Sequence, residues 1–143
     1  MKYLLLASFT LLLNACASYD FVPTPVPELI SKVTYTTMDA SGNNTWQLDN
    51  DTLNVRYMKL SNSGQLITQR VTKATPNEFN IIATGLEKAD FQKVTSQQGK
   101  RNAGVKEKLV VETAEGSRVF TQDDSSSFPA EINTVTKQIP QLF

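Results

Sequence analysis

The chain has no histidine and a single cysteine, Cys16, in 143 residues. Without histidine it lacks the commonest general base and the commonest metal ligand. One thiol closes no internal disulfide, and an exported chain that keeps an unpaired thiol carries a liability unless that thiol is used. Ser-His and Cys-His catalysis and ordinary zinc sites are excluded on these grounds. Charge of one sign is also lacking: 14 basic side chains face 14 acidic ones. No global basic field gathers nucleic acid, so no nucleic-acid partner is expected, and nothing in the sequence calls for a cofactor. Long apolar runs are missing too. The greasiest stretch, residues 4–13, is interrupted by Ser8 and Thr10. It is too short for a hydrocarbon core, which needs roughly 20 apolar residues.

What that stretch does resemble is a leader. Met1-Lys2-Tyr3 supplies a basic start, Leu4 to Leu13 an apolar core, and small residues follow. This is the pattern of a secretory signal peptide over residues 1–15. The segment Leu13-Asn14-Ala15-Cys16 resembles a bacterial lipobox, in which a leucine and two tolerated residues precede an invariant cysteine. Asn14 departs from the small or apolar residue usual at its place. The resemblance implies cleavage between Ala15 and Cys16, a diacylglycerol thioether on the Cys16 sulfur and acylation of the new amino terminus. Each buried methylene contributes about 0.8 kcal/mol, so one chain binds marginally and two or three hold the protein permanently. The other reading of Cys16, a chance residue at a plain cleavage site or a buried free thiol, leaves the positional match unexplained. Ala17 stands where many Gram-negative lipoproteins retained in the inner membrane carry aspartate. The resemblance therefore implies the outer membrane, with the body facing the periplasm.

Residues 16–28 form the lipidated cysteine and a spacer. Pro23, Pro25 and Pro27 alternate with Thr and Val. Each ring fixes its own torsion and pushes its predecessor to extended geometry. A stiff polyproline-type tether results, at about 3.1 Å per residue. Residues 29–143 are one domain's worth of chain.

Within that domain, period-two alternation predicts strands over Lys32–Met38, Thr45–Leu48, Thr52–Leu60 and Gln65–Thr72, separated by Ser41-Gly42-Asn43-Asn44, Asp49-Asn50-Asp51 and Ser61-Asn62-Ser63-Gly64 turns. In the third, Leu53, Val55 and Tyr57 share a face while Met58 and Leu60 fall on the other, so a bulge is expected there. Thr75-Pro76-Asn77-Glu78 spells a capping box, with Phe79, Ile82, Leu86 and Ala89 following at helical spacing. Gly85 weakens that helix by up to about 1 kcal/mol against alanine. A polar loop covers residues 97–104, a hairpin turns at Glu115-Gly116, and a second helix starts near Pro129 with Ile132, Val135 and Ile139 inward. At an offset of 53 residues Ile67-Thr68-Gln69 matches Phe120-Thr121-Gln122, and the helix positions match likewise. Duplication and coincidence explain this equally well. The fold class predicted is α+β: an antiparallel sheet of about six strands, two helices on one face, in the order strands-helix-strands-helix.

The run "W-x-L", "LNVRY", "EF…L…ADF", "GVKEKLVVET" and a closing "FP…I…V" is similar to small α+β domains of bacterial lipoproteins and to emfourin-type metalloprotease inhibitors, over Trp46 to Leu142. The paired glycines expected early in an emfourin-like domain are lacking, and no inhibitory residue is carried over.

Site candidates follow from residue chemistry. Asp49 and Asp51 with Asn50 and Asn54 offer oxygens to calcium, but the glycine and closing glutamate of a calcium loop are missing, so an Asx-braced turn is favoured. Asp123 and Asp124 are a conceivable carboxylate pair for cell-wall hydrolysis; solvated residues ahead of a helix N-terminus are favoured instead. Lys100, Arg101, Lys106 and Lys108 form a basic stretch against Glu107. It is either a contact loop for an anionic partner, such as lipopolysaccharide phosphates or an acidic protein face, or a solvated loop entering an edge strand guarded by its lysines. Trp46, Tyr57, Phe79, Phe91, Phe120 and Phe128 read as core. The function expected is that of a membrane-anchored, non-enzymatic envelope binding module; a carboxylate hydrolase or a periplasmic protease inhibitor is the alternative. Its expected partners are membrane lipid, through the Cys16 acyl chains, and an envelope protein or glycan.

Overall fold

Alternation along the first strand sets the layers of the molecule. In the computed structural model, which describes residues 30–89, 104, 106–123 and 126–143, Val33 and Tyr35 point to the same side and are buried. Strand β1 spans Ile30–Asp39, β2 Gly42–Asp49, β3 Asn54–Leu60 and β4 Leu66–Lys73. Helix α1 spans Pro76–Lys88, β5 Glu107–Thr113, β6 Gly116–Gln122 and α2 Ala130–Gln138, with a 3-10 turn over Ile139–Leu142. All six strands form one sheet in the order β4-β3-β2-β1-β5-β6, and every neighbouring pair is antiparallel.

Register explains the core. One row across the sheet reads Thr72, Val55, Leu48, Val33, Val111, Arg118; the next reads Arg70, Tyr57, Trp46, Tyr35, Leu109, Phe120. The apolar members of these rows lie on one face, and both helices cover it. Phe79, Ile82 and Leu86 of α1 and Ile132, Val135 and Thr136 of α2 are buried in the same cluster or beside it, with Ile139 from the closing turn. Burying an aliphatic or aromatic side chain of this size contributes about 1.5–3 kcal/mol. The α+β class, the antiparallel sheet, the helices on one face and the element order are as the sequence predicts.

Local chemistry fixes the boundaries. Thr75 caps α1: its hydroxyl accepts from the Glu78 amide at 3.2 Å, and the Glu78 carboxylate accepts from the Thr75 amide at 2.7 Å. Pro76 opens the helix where its missing N–H is no loss. Helix α2 starts after Pro129 with no side-chain cap. Gly85 has a structural reason that helix propensity hides. A β-carbon there would lie 2.6 Å from Cγ2 of Val135, so glycine is what lets α1 and α2 approach.

Three sequence expectations are corrected. Strand β2 is twice the predicted length because Asn43 and Asn44 pair with Met38 and Thr37; the hairpin loop is only Ala40-Ser41, and Gly42 takes a positive φ at its end. The irregularity anticipated in β3 lies in its partner instead, where β4 carries the extra residue, Ile67, between the pairs Lys59–Thr68 and Leu60–Leu66. Leu53 stands before β3, at φ 54°, rather than inside it.

Candidate interaction surface

The predicted site residues that the structure describes do not converge. Cys16, Ala15, Lys100, Arg101, Asp124, Phe91 and the proline tether lie outside the described residues. Lys106 is exposed, its backbone bridging Met38 (2.7 Å) and Gln122 (2.8 Å). Lys108 pairs with Thr36 on one side and Thr121 on the other. Strand β5 is therefore internal, and the expectation that its lysines guard an edge is overturned: the edges are β4 and β6.

Two of the acidic candidates, Asp49 and Asp123, brace turns. The Asp49 carboxylate accepts from the Thr52 amide at 2.9 Å and from its hydroxyl at 3.0 Å, and these bonds hold its pKa below the usual value. The Asp123 amide donates to the Ser126 hydroxyl oxygen, and that hydroxyl donates back to the Asp123 carboxylate at 2.8 Å. Among the described residues, no three acidic, histidine or cysteine side chains cluster as a metal site would need.

An aromatic row crosses the covered face. The Tyr35 and Trp46 rings stack at 5.6 Å, Trp46 meets Tyr57 at 5.3 Å, and Tyr57 meets Phe143 edge-on at 6.0 Å. Both tyrosine hydroxyls are anchored: Tyr35 donates to Glu107 at 2.7 Å and Tyr57 to Asn44 at 2.8 Å. Burial, then the bond to Glu107 and its negative charge, raise the Tyr35 pKa well above the ordinary tyrosine value. Phe79, Phe120 and Phe128 are core as expected, whereas Trp46 and Tyr57 are half-buried at the core's margin. On the outer side of the helices, a groove of about 520 Å³ runs between α1 and α2, lined by Asn80, Ile81, Thr84, Lys88, Glu131 and Gln138 among others.

Among the described residues, the most exposed apolar surface is elsewhere. Strand β4 buries none of its eight residues. Leu66, Ile67 and Val71 are 56%, 54% and 55% exposed, on a strand with β3 on one side and, among the described residues, no strand on the other. By alternation alone β4 looks like an ordinary strand. A signal was present: neither parity of "LITQRVTK" is consistently apolar, since each side mixes aliphatics with Arg70 or Lys73. A strand packed on a core shows one clean apolar parity.

No family model matches the chain, and no curated protein matches its sequence.

Proposed function

We propose that this chain is a lipid-anchored bacterial envelope lipoprotein whose α+β domain is a non-enzymatic interaction module. The observation that carries the module reading is β4, an outermost strand presenting three aliphatic side chains, each more than half exposed. An unpaired strand edge offers a row of backbone donors and acceptors together with side-chain contacts, and partners dock on it by adding a strand. Anchorage rests on the lipobox resemblance at Leu13-Asn14-Ala15-Cys16. A tethered body of near-neutral charge, with 13 basic and 14 acidic side chains once Lys2 is removed with the leader, meets its partner by shape and strand pairing rather than by long-range attraction.

Mass spectrometry of the mature amino terminus, with membrane fractionation of wild type and Cys16→Ser, tests the anchor. The expected result is a terminus at Cys16 carrying acyl chains, and release of the variant into the soluble fraction. A terminus elsewhere, or an unmodified Cys16, sinks the anchored reading. The module reading is tested by photocrosslinking from β4: adducts there, and none from the outer face of α1, are expected.

A further inference from the structure

The β4 edge is complementary to itself. We propose that its occupant is β4 of a second copy, the two strands pairing antiparallel about a two-fold axis at Gln69. This rests on the interaction-module reading and names its partner; it does not depend on the lipid anchor.

The register follows from geometry and charge. In an antiparallel pair, directly opposed residues share a face of the sheet, so a two-fold axis normal to the sheet falls on a residue and not between two. Strand β4 runs from Leu66 to Lys73, its alternation is regular from Ile67 onward because the extra residue separates Leu66 from it, and an axis at Gln69 or Arg70 keeps most of that regular part paired. An axis at Arg70 sets Arg70 opposite its own copy, and like charges directly opposed destabilise a pair. An axis at Gln69 sets Ile67 opposite Val71 and Val71 opposite Ile67, Gln69 opposite Gln69, and Arg70 opposite Thr68. Two of the most exposed aliphatic side chains of the described residues thus cover each other twice. Lys73 then faces Gln65 rather than a cation. An axis at Val71 leaves Leu66 and Ile67 without strand partners.

The other edge lacks this option. On β6 the row containing Phe120 is already buried under the helices, and Val119 is half-buried. An isologous β4 contact closes on two subunits, as a two-fold interface does, and joins two six-stranded sheets into one with all helices on the same side.

The test uses the full chain in whole cells, so that it reads the same whether or not the chain is lipid-anchored. Gln69→Cys is exposed to diamide, with Thr68→Cys, Arg70→Cys and the unsubstituted chain as controls for register and for Cys16. A disulfide-linked dimer strongest for Gln69→Cys is expected. In the Gln69→Cys background, Ile67→Lys or Val71→Glu alone cuts the crosslinked fraction about tenfold, because two apolar pairs are lost in each. Ile67→Lys with Val71→Glu restores it, since each lysine then faces a glutamate. Both positions are more than half exposed, so the fold tolerates these changes. If the thiol at position 69 is captured by another protein and not by itself, the second copy is overturned while the interaction module stands. If it links to nothing, or if Arg70→Cys links best, the proposal fails in its partner or in its register.

Discussion

The two edges of the sheet occupy equivalent places and have opposite characters. Strands β4 and β6 are both outermost among the described strands, each is the last strand before a helix, and both helices lie on the same face. A half-turn about an axis normal to the sheet between β1 and β2 exchanges β4 with β6, β3 with β5 and α1 with α2. The short sequence match at an offset of 53 residues joins these two edges, Ile67-Thr68-Gln69 to Phe120-Thr121-Gln122, but it does not follow this symmetry: the residue that ends Phe120's row on the far edge is Arg70, not Ile67. Yet Phe120 is 5% exposed and Ile67 is 54% exposed. On one edge the aromatic residue closes the core. On the other, the extra residue in β4 takes Ile67 out of the paired register, and Arg70 and Thr72 end the core rows. The outermost strand closes the core in β6 and is left available for contact in β4.

The sharpest way to break this comparison is to truncate both residues. Phe120→Ala removes a buried aromatic and leaves a cavity, so a loss of about 3–5 kcal/mol is expected in denaturant unfolding of the full chain in detergent. Ile67→Ala at protein concentrations low enough to exclude association changes stability by no more than about 0.5 kcal/mol, as exposed substitutions do. Equal losses at the two positions would mean that β4 is covered by its own chain.

A second contrast lies between the helices. Gly85→Ala gains helix propensity of about 1 kcal/mol, but its new methyl meets Val135, which is 1% exposed and has little room to move. Overpacking of this kind costs about 1–3 kcal/mol, so net destabilisation is expected. Gly85→Ala with Val135→Ala recovers part of the Gly85→Ala loss relative to Val135→Ala alone, and that coupling locates the helix crossing. Additive effects would place it elsewhere.

Much of this fold is legible in the residues, and the reasons for the failures are physical. The capping box at Thr75 and the spacing of Phe79, Ile82 and Leu86 are local signals, and local signals survive into the structure. The length of β2 was not legible, because Asn43 and Asn44 carry turn propensity that pairing with β1 overrides. Gly85 reads as a weak point until the neighbouring helix is known. The edges were not legible either: β5 carries lysines that suggest an edge, but strand order is a long-range property. What distinguishes β4 is the missing apolar parity, and that becomes informative only when the strand is known to be outermost. The basic stretch singled out for contact is only partly described, and its Lys106 and Lys108 sit at and inside an internal strand, away from the aliphatic edge.

The smallest expected effects separate the two helix starts. Thr75→Ala removes the hydroxyl that accepts from the Glu78 amide, and a cap of this kind contributes about 1 kcal/mol; α2, with Pro129 at the corresponding place, has no such bond to lose. The α1 cap also carries a pH signature. The Thr75 amide, then the Thr75 hydroxyl, bind the Glu78 carboxylate and hold its pKa below the ordinary 4.5. A group depressed in the folded state contributes stability that is full above its unfolded pKa and is lost as pH falls through the folded one. The stability difference between wild type and Glu78→Gln is therefore expected to be constant above pH 4.5 and to shrink as the solution is acidified below it, because protonated Glu78 resembles glutamine. A difference that grows on acidification would show that the folded state favours protonated Glu78, and the reciprocal cap at Thr75 would have to be abandoned.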